Sequence, residues 1–402
     1  MEKTLPQQSR TAVIALAIIM SIRMFGLFMI LPIFSVYAAT IEGATATLIG
    51  VTLGIYGLTQ ALFQIPLGAW SDRVGRKTII VIGLGLLCIG SVIAAISHSM
   101  HWLIVGRALQ GAGAIGSTVL ALVADITHEE SRSKAMALMG LSIGCAFVAA
   151  MIAGPIINHW LRLSGIFWMT SVLALIGMSL LWLIPTPPKP MIDATTNLRM
   201  QLKQTLHNAT LWRLNIGIFA LHAILTALFI AIPIVLTREI TLSESQQIWL
   251  YFSILIGSFM LAVPLIVLAE KKQKIKTFLV GAIMIILFTQ FSFIFLYQKL
   301  WATIVLLLIF FAAFTLLEAT LPSLVSKIAP PRNKGAAMGV YSSSQFFGIF
   351  VGGLLGGLAL SYAGLLGVFC ICTALALAWL QLAIAMPITQ PEKTENMKTR
   401  IA

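Results

Sequence analysis

Charge is scarce in this chain. Asp, Glu, Lys and Arg together make up 10% of its 402 residues, where a soluble domain carries about 25%. So little charge cannot clothe a water-facing surface, so most of the surface must face lipid. Acidic residues are the fewest, 13 against 26 Lys and Arg, which leaves a net charge of +13. The basic residues sit in short loops between apolar segments. That placement orients membrane helices and does not mark a nucleic-acid partner. The four cysteines, Cys88, Cys145, Cys370 and Cys372, all lie inside apolar segments and form no CxxC pair. No His joins them at ligand spacing, so they read as inert packing, and no metal site is expected. A Walker A motif is missing, which excludes ATP as the direct energy source. HExxH is missing too, and no pair of carboxylates falls at mid-membrane, so an enzyme is not expected. Nor is a cleavable signal peptide, because the first apolar segment is too long for one and contains Arg23.

Long apolar runs are what the chain has in abundance. A spanning helix needs about 20 mostly apolar residues. Twelve such segments are legible, near residues 12–37, 47–70, 78–97, 101–124, 135–160, 165–184, 211–236, 247–269, 277–297, 300–325, 335–362 and 364–386. Gly and Pro within them are compatible with bundled membrane helices. If both termini are cytoplasmic, 21 of the 26 Lys and Arg lie on that side, as the positive-inside rule requires. The exceptions are Arg162, Arg238 and Lys299 outside, and Arg23 and Arg107 within helices.

The chain also echoes itself. Ser131-Arg-Ser-Lys-Ala-Met136 returns loosely as Asn333-Lys-Gly-Ala-Ala-Met338, an offset of 202 residues. The same offset aligns Ala150 and Gly154 with Gly352 and Gly356. A duplicated six-helix unit follows. The expected fold is an all-α membrane protein of twelve transmembrane helices in two pseudo-symmetric six-helix bundles. Its divisions are an N-terminal bundle over residues 1–185, a proline-rich cytoplasmic linker over 186–210, and a C-terminal bundle with a short cytoplasmic tail over 211–402.

Between segments 2 and 3 lies Gly68-Ala-Trp-Ser-Asp72-Arg73-Val-Gly75-Arg76-Lys77. An ordinary basic loop accounts for its Lys and Arg but not for this spacing of Gly, Asp, Gly and Arg. Gly68 permits close helix approach and Gly75 a tight turn. Asp72 suits the N-terminus of a helix, where free N–H groups favour an anion; the start of segment 11, near Gly335, is the expected place. Arg76 calls for a carboxylate on a neighbouring helix, and Asp125, at the end of segment 4, is the expected partner. Segment 4 carries Arg107-Ala-Leu-Gln110-Gly111-Ala-Gly113. An arginine within a membrane segment costs about 2.5–3.5 kcal/mol on insertion scales and must face the bundle interior. Segment 5 holds Gly144 and Ala150-Met-Ile-Ala-Gly154-Pro155, readable as a small-residue packing face with a proline kink.

These motifs resemble those of the major facilitator superfamily, and the segment 5 residues partly resemble its antiporter signature. Phe63-Gln-Ile-Pro-Leu-Gly68, Leu317-Glu-Ala-Thr-Leu-Pro-Ser323 and Met338-Gly-Val-Tyr-Ser342 further resemble YajR-type inner-membrane transporters of Gram-negative bacteria. The resemblance implies a multi-pass bacterial inner-membrane protein without ATP or other cofactor, driven by the proton gradient. It also implies a monomer in lipid that exports a small organic substrate against protons. The group's namesake has a small soluble domain after helix 12; here about 15 residues follow that segment, and the domain is expected to be absent.

Few polar side chains fall within the membrane. Arg23, Tyr56, Gln60, Gln64, Arg107, Tyr341 and Gln345 are the expected substrate cavity, between the halves at mid-membrane. Tyr56, Gln60 and Gln64 recur at four-residue steps, which puts them on one helix face. Glu318 is the only carboxylate placed well inside a segment, and His222 is the second titratable candidate. They are the expected proton carriers, unless each is a satisfied structural group. The function expected is alternating-access transport, as proton-coupled export of an amphipathic organic compound. A proton-coupled importer or a non-transporting receptor are the alternatives.

Overall fold

A computed structural model of the chain describes residues 7–186, 198–272, 274–330 and 333–386. The prolines of the expected linker after Thr186 and the C-terminal tail lie outside the described residues. Among the described residues the fold is helical throughout, with one isolated bridge between Glu42 and Ser99. This is the economy a bilayer demands, since a helix satisfies its own backbone groups.

The first span is α1 (Gln7–Phe28), followed by the short α2 (Phe34–Tyr37). The apolar run in the sequence predicts a single segment on to residue 37. Pro32 explains the break, because it offers no N–H and disfavours helical backbone at the residue before it. Then come α3 (Ala46–Val74), α4 (Arg76–Ile96), and a fourth span in two pieces, α5 (Met100–Ala112) and α6 (Gly116–Ile126). Thr45 caps α3 by accepting the Leu48 N–H at 3.1 Å. Gly75, at φ 107°, makes the turn from α3 to α4 that a side chain would strain.

The next helix, α7 (Glu129–Leu180), is too long to cross once. Its 52 residues would reach about 78 Å against a hydrocarbon core of about 30 Å. It divides at Arg162, whose φ is 60°. After α8 (Leu198–His207), which lies within the expected linker, follow α9 (Ala209–Ile234), α10 (Glu244–Lys271), α11 (Ile275–Leu296) and α12 (Leu300–Ile328). The last helix, α13 (Lys334–Ile384), repeats the design of α7 and divides at Gly364, φ 63°. Arg162 and Gly364 are 202 residues apart, the same offset as the sequence echo. Among the described residues, ten apolar helical stretches thus supply twelve spans, because those of α7 and α13 each supply two.

Burial sorts the spans. The apolar window of α9 is 89% buried and that of α10 only 28%, so α9 is central and α10 faces lipid. Phe295 and Met260 are 67% and 69% exposed, acceptable in lipid and not in water. Trp160, Trp182, Trp249 and Tyr362 are strongly exposed near span ends, where aromatic rings anchor at the membrane interface.

Candidate functional site

The start of α1, the turn at Gly75 and the start of α13 share one face of the bundle, here termed the basic face. On it, Gly68 lets α3 approach α6, for a Cβ there would stand 2.9 Å from Ser117 Oγ. Arg76 gathers three groups: Asp72 Oδ1 at 2.5 Å, Asp125 Oδ2 at 3.1 Å and Ser71 Oγ at 2.6 Å. Arg73 is exposed and lines the cavity beside Asp72 and Arg76. Every one of these bonds joins parts of the first six spans. Asp72 does not bond the start of α13; it faces Gly335 and Ala336 across a cavity of about 640 Å³. The cavity opens at the basic face and reaches inward to Gln64 and Ser117. Its wall includes Gln201 and Leu202 of α8. That helix is tied to the start of α13 by Asn333 Nδ2 donating to Gln204 Oε1 at 2.7 Å.

The opposite face is closed. There α3 and the first arm of α13 meet backbone to backbone. A Cβ on Gly50 would lie 2.1 Å from the Gly353 carbonyl, and one on Gly57 2.4 Å from the Phe346 carbonyl. Above this contact, the Tyr37 hydroxyl donates to Glu244 Oε1, and His159 Nδ1 lies 2.6 Å from Glu244 Oε2. Burial, and then Glu244, push the Tyr37 pKa up to about 12, so this hydroxyl stays a donor at neutral pH. Tyr37 and His159 come from the first six spans and Glu244 from the last six. Beneath them is a small cavity of about 220 Å³ that includes Pro155, Asn158 and Thr237. Gly154 permits this arrangement by letting α7 rest on the broken end of α1, since its Cβ would fall 2.1 Å from Met29 O. Gly144, the other glycine of that motif, has nothing within 4 Å of its Cβ position and packs on nothing here.

Between the two faces, the expected cavity residues separate into two groups. In the first, Arg23 donates through Nη2 to Gln60 Oε1, and Gln60 Nε2 donates to Gln64 Oε1 at 3.0 Å. Arg107 sits apart from them. Its guanidinium stacks on Tyr56, 4.9 Å from the ring centre, and donates to Gln110 Oε1 at 2.7 Å and Thr52 O at 3.5 Å. The second group lies in the last six spans. His222 Nε2 is 2.9 Å from Gln345 Nε2 and 3.4 Å from Glu318 Oε1. Among the described residues, Tyr341 Oη and Glu318 Oε1 are buried and neither makes a hydrogen bond. Rings from both halves meet beside the second group, where the His222 ring lies 5.7 Å from that of Phe314. Phe28 meets Phe147 edge-on at 4.9 Å, and Phe147 stacks on Phe314 at 6.3 Å.

Sequence reasoning missed Tyr37, His159 and Glu244, which stand in ordinary span-end contexts far apart in the chain. It also missed the α3–α13 glycine contact, although Gly50-xxx-Gly54 and Gly353-xxx-Gly357 carry the small-xxx-small spacing of close membrane helices.

Comparison with known proteins accords with this architecture. The family model of the Major Facilitator Superfamily matches residues 16–235 and 214–400. The inner membrane transport protein YajR of Escherichia coli (strain K12) is 42% identical over 394 residues, covering 98% of this chain and 86% of that protein. The class E tetracycline resistance protein of Escherichia coli is 34% identical over 153 residues, 37% of this chain and 36% of that one. The crystal structure of a bacterial homolog of the human lysosomal transporter Spinster superposes with a TM-score of 0.74 at 17% identity, covering 96% of this chain and 98% of that one. Twelve spans, the Gly68–Lys77 motif and near-complete coverage by family model and relative lead to one assignment: the chain belongs to the Major Facilitator Superfamily, as a YajR-type membrane transporter.

Proposed function

We propose that this transporter is a proton-coupled exporter of small amphipathic organic compounds. It sits in the bacterial inner membrane with the basic face, and both termini, in the cytoplasm. The observation that carries the reading is Glu318 lying against His222 inside the bundle, 3.4 Å apart. His222 Nδ1 lies 3.3 Å from Ile218 O. With the proton on Nδ1, Nε2 is left to accept the Gln345 amide, and the carboxylate is left without a bond. A proton on Glu318 or on Nε2 would bridge the pair, so uptake and release of one proton changes the contacts of three spans. The cavity open at the basic face gives a compound entry from the cytoplasm. The class E tetracycline resistance relative favours export over import. The test uses purified protein in liposomes containing a pH-sensitive dye, challenged with a library of amphipathic compounds. Exchange predicts proton movement opposite to the compound, abolished by a protonophore. Movement in the same direction would mean symport, and no proton movement with any compound would reject coupling.

The two faces predict opposed shifts. Losing the Tyr37 donor to Glu244 weakens closure of the outer face; a hydrogen bond to a charged group contributes about 1.5 kcal/mol at the low end. Tyr37→Phe is therefore expected to raise the outward-open fraction about tenfold. Asp72→Asn removes an anion that only the outward-open state can bring to the α13 N-terminus, worth about 0.3–1 kcal/mol, so it shifts the population inward. Spin-label distances between Ala39 and Ser245, and between Val74 and Lys334, read both shifts. Identical distance distributions in parent and variants would contradict the assignment.

A further inference from the structure

We propose that the cavity takes an organic anion, held by its carboxylate between Arg23, Gln64 and the first turn of α6, with an apolar body extending into the cavity. The inference deepens the transport reading and rests on it. Arg23 is 1% exposed, and a guanidinium stays charged when buried. Among the described residues only its Nη2 finds a hydrogen-bond acceptor; Nε and Nη1 find none. Among the described residues no carboxylate pairs with it. Asp72 and Asp125, the acids of the neighbouring helices, are bound to Arg76 at the basic face. A buried cation is normally paired, and this one lacks its anion.

The surroundings of Arg23 contribute donors. Span 4 breaks at residues 113–115, and α6 begins beside the guanidinium at Gly116. Val119 N–H is the first in α6 to find an acceptor, Ile115 O at 2.9 Å. The N–H groups before it belong to a free helix N-terminus, which favours an anion. Gly116 has no side chain, and two donors converge on the volume one would fill: Arg23 Nη1 at 3.2 Å and Gln64 Nε2 at 3.3 Å from its Cβ position. The Gln64 Oε1 is already taken by Gln60, so Gln64 presents its amide N–H groups there. Guanidinium, amide and helix end all donate, which is the chemistry of a carboxylate site. Gln64 and Ser117 also line the cavity, and so connect it to this point. Ile65 and Pro66 add apolar wall beside them.

The test is equilibrium binding to the full-length purified protein, read by thermal unfolding, with three probes of one shape. These are 1-naphthoate, 1-naphthamide and 1-naphthylmethylammonium. Naphthoate is expected to bind at least tenfold more tightly than either of the others. Arg23→Gln should bring naphthoate down to the amide's level, and Arg23→Lys should keep part of the difference. Gly116→Ala, which keeps every charge but fills the shared volume, should weaken naphthoate selectively; it serves if Arg23→Gln does not fold. Equal binding of the three probes, preference for the ammonium, no binding of naphthoate, or naphthoate binding unchanged in Arg23→Gln or in Gly116→Ala would each overturn the site. Binding requires no gradient, so the two readings fail separately. Naphthoate binding without gradient-driven movement in liposomes would leave the anion site standing and reject the coupled transporter. Driven transport with a preference for the ammonium would do the reverse.

Discussion

Glu318→Gln is expected to abolish accumulation driven by a pH gradient while substrate exchange continues. The substitution keeps the shape of the side chain and removes its titration. A gradient of one pH unit supplies about 1.4 kcal/mol per proton, a tenfold concentration ratio. The parent should therefore hold roughly a tenfold gradient of substrate for each proton exchanged, and the variant should hold none. Counterflow of labelled against unlabelled substrate at equal pH needs no proton and should persist near the parent rate. His222→Gln gives a smaller loss, because the carboxylate can still load a proton without its ring partner. Liposomes with an imposed gradient measure both quantities in one preparation. If Glu318→Gln accumulates substrate as the parent does, another group carries the proton, and Glu318 only balances the polar interior of the last six spans.

The fold was legible because apolar run length is a direct consequence of bilayer thickness. The motif at Gly68–Lys77 was legible for a related reason. Its residues lie within one turn and two helix ends, so Gly75 at positive φ and Arg76 against Asp72 are nearly local facts. The failures have equally physical causes. The break of α1 before α2 comes from Pro32, and proline alone does not mark a break in sequence because bundled membrane helices often accept it. The division of span 4 at residues 113–115 leaves no compositional mark beyond glycine, yet it places the α6 N-terminus beside Arg23.

The polar cavity residues stand out in sequence for lying in the membrane, and polarity alone does not say which half's contacts satisfy them. Arg107 illustrates this. Its place inside a membrane segment points to the substrate cavity, whereas its guanidinium is held by Tyr56, Gln110 and Thr52 within the first six spans. Glu244 could not be found from sequence because its partners, Tyr37 and His159, are 207 and 85 residues away. Such pairs exist only once the halves have closed.

Two adjacent glycines of α13 should give opposite classes of defect. Gly352 packs within the last six spans, where its Cβ would lie 2.2 Å from the Ala223 carbonyl of α9. Gly353 packs across the halves, where its Cβ would lie 2.4 Å from the Gly50 carbonyl and 2.9 Å from Gly54 N of α3. In both cases the obstacle is backbone, which cannot rotate aside. Overpacking of this kind costs about 1–3 kcal/mol. The α9–α13 contact belongs to one six-span unit, so both conformations bear the cost of Gly352→Val. Its unfolding midpoint should fall with little change in the inward-to-outward ratio. The α3–α13 contact closes the outer face and must separate when that face opens. Only the inward-open state bears the cost of Gly353→Val, so the ratio should move outward by about 5- to 150-fold. Label distances between Ala39 and Ser245 measure the opening, and thermal unfolding measures the stability. Gly144→Ala, with nothing within 4 Å of the new Cβ, is the control expected to change neither. If Gly353→Val lowers the unfolding midpoint as Gly352→Val does and leaves the label distances alone, the glycine contact is a fixed seam of the fold. The outer face must then open by another movement.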